Sequence, residues 1–435
     1  MIPENPIPDD EFLIDALLRK YEARLRYALK HRPRTLEEWE ETAEEVGNEV
    51  KCAIEQQVLR EEGTGNCGTE KPCACGKRAR YVADYTRRCV TRHGVLFVER
   101  AYYYCRNCRK GECPLDARLQ IGRGEYSAAV VALAARFAGY LPPRAAAREL
   151  EAVCGIRLCA NTISRHARLI GKALEEQWKT EENAFFAHPD KEVAVHPAQL
   201  HLTLDGVMVH VDGGWHEAKL GVAYTRKKAG GVESARYSAT LDNSRTFGKR
   251  FRVLGHLEGA DNCAKVGVVA DGSAWIWQEV GKYYARCVQI LDYFHASQHL
   301  WKVGFARFGE GSSEAVEWVH RQQLELLSDN VEAVVANIAA WEAKSGVPRE
   351  VQRQVLTYLR THSRRLRYET FQSAGYHIGS GVVEAGCKGV VQARMKGPGM
   401  RWSRAGAEAI LQLRCAVCST KRPDFRKLAR YALNA

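Results

Sequence analysis

"LHLTLDGVMVHVDGGWHEAKLGVAYT", residues 200–225, alternates apolar and polar side chains on both sides of Asp-Gly-Gly at 212–214. A period of two flanking a glycine turn predicts two antiparallel strands joined by a hairpin. After another polar turn, "ARYSATLDN" (235–243) continues the alternation and predicts a third strand. Downstream come a helical stretch at 244–257, a short apolar strand "KVGVVAD" (265–271), a helix (273–284), a strand "RCVQILDYF" (286–294) and a helix (296–308). The order βββαβαβα is that of a mixed sheet with helices packed on it.

Around this unit the chain is modular. Its 435 residues exceed one hydrophobic core and imply several domains. The boundaries drawn from composition are a helical arm (1–62), a Cys- and Gly-rich β module (63–124), a helical region (125–190), the mixed-sheet domain (195–307), an all-helical insertion (308–370), a return to that domain through its final helix (371–420), and a basic tail (421–435). The fold class is therefore multidomain α+β. In the arm, Ile14, Leu18, Tyr21, Leu25 and Ala28 form a helical seam that packs within the chain or joins two subunits. Thr35 and Glu38 form a capping box opening a helix that runs to about Glu62.

The most apolar stretch, "SAAVVALAARFAGYL", is interrupted by Arg136, so no transmembrane helix is expected. The start, "MIPENPIPDDEF", is acidic where a secretory signal is basic and then apolar, which points to the cytoplasm. A formal charge of +12 predicts a polyanionic partner, nucleic acid first. The fifteen cysteines are an odd number, and eight lie between Cys52 and Cys113 at short spacings, the pattern of metal ligands rather than disulfides.

Cys73/Cys75 and Cys105/Cys108 flank a predicted hairpin centred on "RHG" (92–94), so four thiolates can converge on one structural Zn²⁺. Cys67, Cys89 and Cys113 compete for the fourth position. A four-thiolate site leaves no place for a substrate water, so such a zinc organises a small module and performs no chemistry. Residues 142–174 have helix-turn-helix spacing, with a turn near Gly155 and a second helix from about Asn161. That second helix would present Ser164, Arg165 and Arg168 to a major groove; the competing reading is a plain helical hairpin with solvated arginines.

The element order resembles the ribonuclease H architecture, whose active site holds acids on the first strand, after the fourth strand and on a later helix. Asp205 lies mid-strand before Gly206, Asp271 ends a strand before Gly272, and Glu384 falls in the first turn of a helix opened by "IGSG". Hard carboxylate oxygens suit Mg²⁺ or Mn²⁺, and two such ions can drive phosphodiester cleavage. Glu384 stands among Lys388, Arg394, Lys396 and Arg401, which suits a metal ligand beside cations facing a DNA backbone. The alternative for Glu384 is a helix-start acid paired four residues on with Lys388.

"LDGVMVHVDGGWHEAKLG", "DGSAWIW", "ILDYFHASQHLW", "IGSGVVEAGCKGVVQARMKGPGMRWS" and, upstream, "RAYYYCRNC" followed by "CPLD" resemble the Kra-type insertion-sequence transposases of bacteria, over about residues 70 to 420. The resemblance implies a DDE transposase that binds element ends and carries out cleavage and strand transfer with Asp205, Asp271 and Glu384 as its metal triad and two Mg²⁺ or Mn²⁺ ions. It implies terminal-repeat and target DNA as partners, and a dimer or higher assembly on DNA. Asp292 and His295 match a further motif beside the active site, with Asp292 the rival to Asp271 as second acid. Glu217 and Lys219 match as substrate-facing residues. The competing functions are a DNA-binding regulator without chemistry and a ribonuclease H-like nuclease.

Overall fold

The computed structural model describes residues 19, 21–27, 30, 35–189, 191–343 and 346–434; Ile14, Leu18 and Ala28 of the predicted seam lie outside them. The chain is mixed α+β and divides into two compact units. The first holds the described residues up to Phe137, Pro143–His166 and the end of the chain from Asp424.

In this unit helix α1 (Leu36–Glu61) opens at Thr35 through the reciprocal capping box with Glu38. Four antiparallel strands follow, β1 (Glu70–Pro72), β2 (Arg78–Val90), β3 (Val95–Cys105) and β4 (Lys110–Glu112), paired in chain order. Among the described residues, small apolar clusters line the sheet: Ala79, Ala101, Tyr103 and Cys105 at one end, Cys89, Leu96, Val98 and Leu115 at the other. A module with so little core needs a further constraint. After α2 (Pro114–Arg118) come α3 (Ala128–Tyr140), α4 (Pro143–Cys154) and α5 (Ala160–Ala187), of which the end of α3 from Ala138 and all of α5 after His166 belong to the second unit. Gly155, at φ +64°, ends α4 in the left-handed conformation that an L side chain resists. The end of the chain, expected as a basic tail, is instead a helix (Phe425–Asn434) burying Phe425, Leu428, Ala429 and Leu433. Apolar residues three and four apart outweigh the surrounding charge there.

The second unit is built on a five-stranded sheet: β5 (Leu200–Val211), β6 (Gly214–Arg226), β7 (Val232–Thr240), β8 (Val266–Ala270) and β9 (Val288–Leu291), in the order β7-β6-β5-β8-β9. β5, β6 and β7 are antiparallel, while β8 pairs parallel to β5 and β9 parallel to β8. Asp212 and Gly213 both have positive φ, +49° and +81°, as the two-residue turn of a twisted hairpin requires. Helices α6 (Ser244–Leu257), α7 (Ala274–Tyr283) and α8 (Tyr293–Phe308) alternate with the later strands, giving the βββαβαβα order expected.

The inserted helices α9 (Ser313–Leu327), α10 (Val331–Ala339), α11 (Val347–His362) and α12 (Tyr368–Ser373) share the sheet's core: Val319, Leu326, Val334 and Leu359 belong to one cluster with Leu202, Val268 and Ile290. The final segment is two helices where one was expected. Helix α13 runs over Gly381–Gly386, widens into a π-helical stretch at Cys387–Gln392 and ends at Ala393–Met395; α14 spans Arg404–Cys418. Gly397, Pro398 and Gly399 separate them, since proline and glycine disfavour helix interiors. Among the described residues no helix is long and apolar enough to cross a membrane.

Candidate metal centre and carboxylate row

The turns before β2 and after β3 bring Cys73, Cys75, Cys105 and Cys108 together, with all four sulfur atoms within 4.8 Å of one another. Cys73 and Cys108 are 3.6 Å apart, as are Cys75 and Cys105. Zinc–sulfur bonds of about 2.3 Å place tetrahedral sulfurs about 3.8 Å apart, so the cluster has the dimensions of a zinc site. The N–H of Lys77 and then the Asn107 amide lower the Cys75 thiol to about 6, while Cys73, lowered by the N–H of Cys75, is pushed up to about 12 by its bond to Cys108 and by burial. The competitors lie elsewhere: Cys67 is exposed with its thiol donating to Gly65, Cys89 is in the second apolar cluster, and Cys113 stands at the start of α2 without a side-chain capping bond.

The sheet of the second unit builds a row of acids. Thr203 pairs with Val269 across β5 and β8, and Ala270 with Leu291 across β8 and β9. Asp205 lies on β5 two residues past the last of those pairs, and Asp271 and Asp292 follow directly on the ends of β8 and β9, so the three acids come at the same end of three adjacent strands. Burial raises the Asp205 carboxyl above its ordinary value and the charge of Asp271 adds to this, while the Gly206 N–H, 2.6 Å away, opposes it. Asp271 accepts from the N–H and hydroxyl of Ser273 at 2.9 and 3.0 Å. No Lys or Arg pairs with Asp205 or Asp271 among the described residues.

Asp292 is a different kind of acid. Only 1% exposed, it accepts from the His295 N–H at 2.7 Å, from His295 Nδ1 at 3.2 Å and from the Ser380 N–H. Burial pushes its carboxyl up, but the bonds from His295 and Ser380 outweigh it and hold the group below the carboxylate range. The bond to Asp292 raises His295 above its ordinary value against burial, with the charges of Asp292, Asp271 and Asp205 helping. Asp292 thus caps α8, orients His295 and anchors the turn before α13.

Glu384 does not join the row. It lies in the first turn of α13, but its carboxylate is 63% exposed and pairs with Lys388 at 2.7 Å, the helix-local pairing that competed with the metal-ligand reading. Among the described residues the four cysteines are the only group of three or more metal-ligating side chains that converge. The side chain of α13 that reaches the row is Cys387, whose Sγ donates to Asp205 Oδ2 at 3.5 Å. Sequence reasoning missed Cys387, although its place three residues after Glu384 puts both on neighbouring helix positions.

Glu217 and Lys219, expected at the substrate, form an ion pair of 2.8 Å. Lys219 pairs with Gly206 and Leu220 with Asp205, so strand alternation turns Lys219 and Glu217 to the opposite face from Asp205. There Lys219 Nζ lies 5.6 Å from the Trp275 ring. Gly206 is needed for this arrangement, because a Cβ would stand 2.1 Å from Glu217 Oε1.

The sequence profile of the uncharacterised protein family UPF0236 matches residues 76–427. The chain belongs to this family. No curated protein matches it. The UPF0236 region takes in the acid row, Glu384, Cys105 and Cys108, and begins just after Cys73 and Cys75. Within it, the residues expected at DNA separate into two groups. Arg165 and Arg168 are exposed and Ser164 half-buried near the start of α5; Lys388, Lys396 and Arg401 are exposed around α13. Arg394 contradicts the expectation. It is 2% exposed, donates to the Ala138 carbonyl at 3.1 Å and stacks on Trp402, and burial lowers its pKa to about 10. A side chain facing inward from the helix cannot reach a phosphate outside it.

Proposed function

We propose that this UPF0236 chain is a DDE transposase with a ribonuclease H-like catalytic domain, similar to the Kra-type insertion-sequence enzymes. The observation that carries the proposal is the pair Asp205 and Asp271: brought to one end of the parallel pair β5 and β8, close enough for the charge of Asp271 to act on Asp205, half-buried, and without a Lys or Arg partner among the described residues in a chain of charge +12. Two adjacent carboxylates left unpaired are electrostatically costly, and a divalent cation relieves that cost. The strand order β7-β6-β5-β8-β9, with its parallel second half, supports the ribonuclease H-like reading.

The donor set is all oxygen, which fits Mg²⁺ or Mn²⁺ held by Asp205 and Asp271, with Glu384 as third ligand once its carboxylate leaves Lys388. When bound, such ions supply a hydroxyl activated for attack and neutralise charge on the phosphate. Asp292 positions His295 beside the row and holds Ser380, and so the start of α13. Lys396 and Arg401 bind the DNA backbone. In the other unit the zinc-stapled hairpin supports DNA recognition through α4 and α5. Two copies of the chain pair the element ends.

A DNA-binding regulator without chemistry is the second reading, favoured by the pairing of Glu384 with Lys388. Cleavage and strand transfer on the element's own end DNA, with Mg²⁺ or Mn²⁺, decide between them. Activity in the wild type, lost in Asp271→Asn at unchanged stability, supports the transposase. A wild type that binds the ends and cuts nothing overturns it in favour of the regulator.

A further inference from the structure

Next to Asp271, helix α11 lays the ring of Tyr358 against Gly272. A Cβ on that glycine would stand 2.1 Å from Tyr358 Cε2 and 2.8 Å from its hydroxyl oxygen. His299 of α8 stacks on the same ring, with centroids 3.9 Å apart and planes 25° from parallel, and His362 meets it edge-on at 5.0 Å. His362 is itself partnered, its Nδ1 accepting from Arg365 Nη1 at 3.0 Å. Tyr358 Oη and His299 Nδ1, in contrast, are both buried and meet no hydrogen-bond partner among the described residues.

A buried hydroxyl without a partner costs free energy that a phenylalanine in the same space would avoid. Packing over Gly272 therefore accounts for the ring and not for its oxygen. Burial first, then the charges of Asp271 and Asp292, raise the Tyr358 pKa, so the group carries its proton and lies within electrostatic reach of both acids. What it can do there is donate. A phosphate oxygen approaching two carboxylates meets repulsion, and a neutral O–H donor next to Gly272, within electrostatic reach of those acids, offsets it.

We infer that Tyr358 Oη is a hydrogen-bond donor for a phosphate oxygen bound beside Asp271, its ring held by the stacked His299 and by close contact with Gly272. The inserted helices thereby complete the site as well as the core. This inference rests on the metal and phosphate chemistry proposed for the acid row.

The test is calorimetric binding to the full-length protein, with Mn²⁺ alone, then inorganic phosphate, then a dinucleoside monophosphate on the Mn²⁺-loaded protein. Wild type, Tyr358→Phe and Asp271→Asn are compared. Tyr358→Phe keeps the ring and removes the unpartnered hydroxyl; it should melt no lower than the wild type and match it in Mn²⁺ affinity while binding phosphate roughly ten- to a hundredfold more weakly. Weakening with both probes shows a site for any phosphate oxygen; weakening with the dinucleotide alone shows one shaped for the phosphodiester. Both support the inference. Equal affinity of wild type and Tyr358→Phe for both probes overturns it, as does a wild type that loads Mn²⁺ and binds neither probe. A wild type that does not bind Mn²⁺, or an Asp271→Asn protein that binds it as well, removes the reading of the acid row and this inference with it.

Discussion

Replacing Asp292 with alanine should destabilise the mixed-sheet unit by about 3 kcal/mol, and the amount follows from two of its bonds. Losing the side-chain cap of α8 costs about 1 kcal/mol. The Ser380 N–H, in a residue only 6% exposed, is left without an acceptor, which adds about 2 kcal/mol. At 1.4 kcal/mol per decade this lowers the folding constant roughly a hundredfold. Urea unfolding followed by tryptophan fluorescence reports it, because Trp277 and Trp318 are in this unit's core. The pH dependence gives a second check. The folded pKa of Asp292 is depressed, so its contribution is present above the unfolded value of about 3.9 and is lost as pH falls through the lower folded value. His295 is raised, so its contribution is complete below about 6.5 and is lost as pH rises through its folded value. The gap between wild type and Asp292→Ala should therefore narrow at both extremes. A variant that unfolds with the wild type, or a gap constant across pH, refutes the assignment of Asp292 as a structural anchor.

Without metal, Asp205→Asn should melt above the wild type at neutral pH: a raised folded pKa means that the ionised group costs stability there, and the amide removes the charge. The same variant should lose the stabilisation that Mn²⁺ gives the wild type, measured by thermal melts with and without the ion. Metal analysis should find one zinc per chain in the wild type and none in Cys105→Ser, which should lose with it on the order of 10 kcal/mol of metal-linked folding energy, exposing residues 63–124 to protease while the tryptophan signal of the other unit persists. Arg401→Ala should reduce the salt slope of DNA binding by about 1 at unchanged stability, whereas Arg394→Ala should cost about 2 kcal/mol of stability by breaking a buried hydrogen bond. Titration of DNA affinity against salt, beside denaturant melts, separates the two arginines.

Much of the fold was legible because it is written in local patterns. Period two on either side of Asp212 and Gly213 specifies a hairpin, the Thr35–Glu38 box specifies a helix start, and the alternation of short apolar runs with helical stretches yields βββαβαβα. The cysteine spacing pointed to the four residues that converge, while the choice among their competitors needed the hairpin register. Candidate acids were legible as residue types at strand ends. Their roles were not, because each depends on which strands become neighbours and which groups meet across them.

By itself, then, the sequence determined the elements up to residue 370 and their order, the cysteine pairs and the identity of the acids, since these follow from residue spacing of at most a few turns, while the two helices after residue 380 and the helix at the end of the chain went beyond it. Only the tertiary structure decided that Asp205 and Asp271 stand side by side unpaired, that Asp292 is consumed by His295 and Ser380, that Arg394 points inward, and that Glu384 turns to Lys388. It alone brought Tyr358 of the inserted helices against Gly272, 86 residues earlier in the chain. The physical reason is common to all of these: burial, charge coupling and hydrogen-bond satisfaction belong to neighbours in space, and a sequence lists only neighbours along the chain.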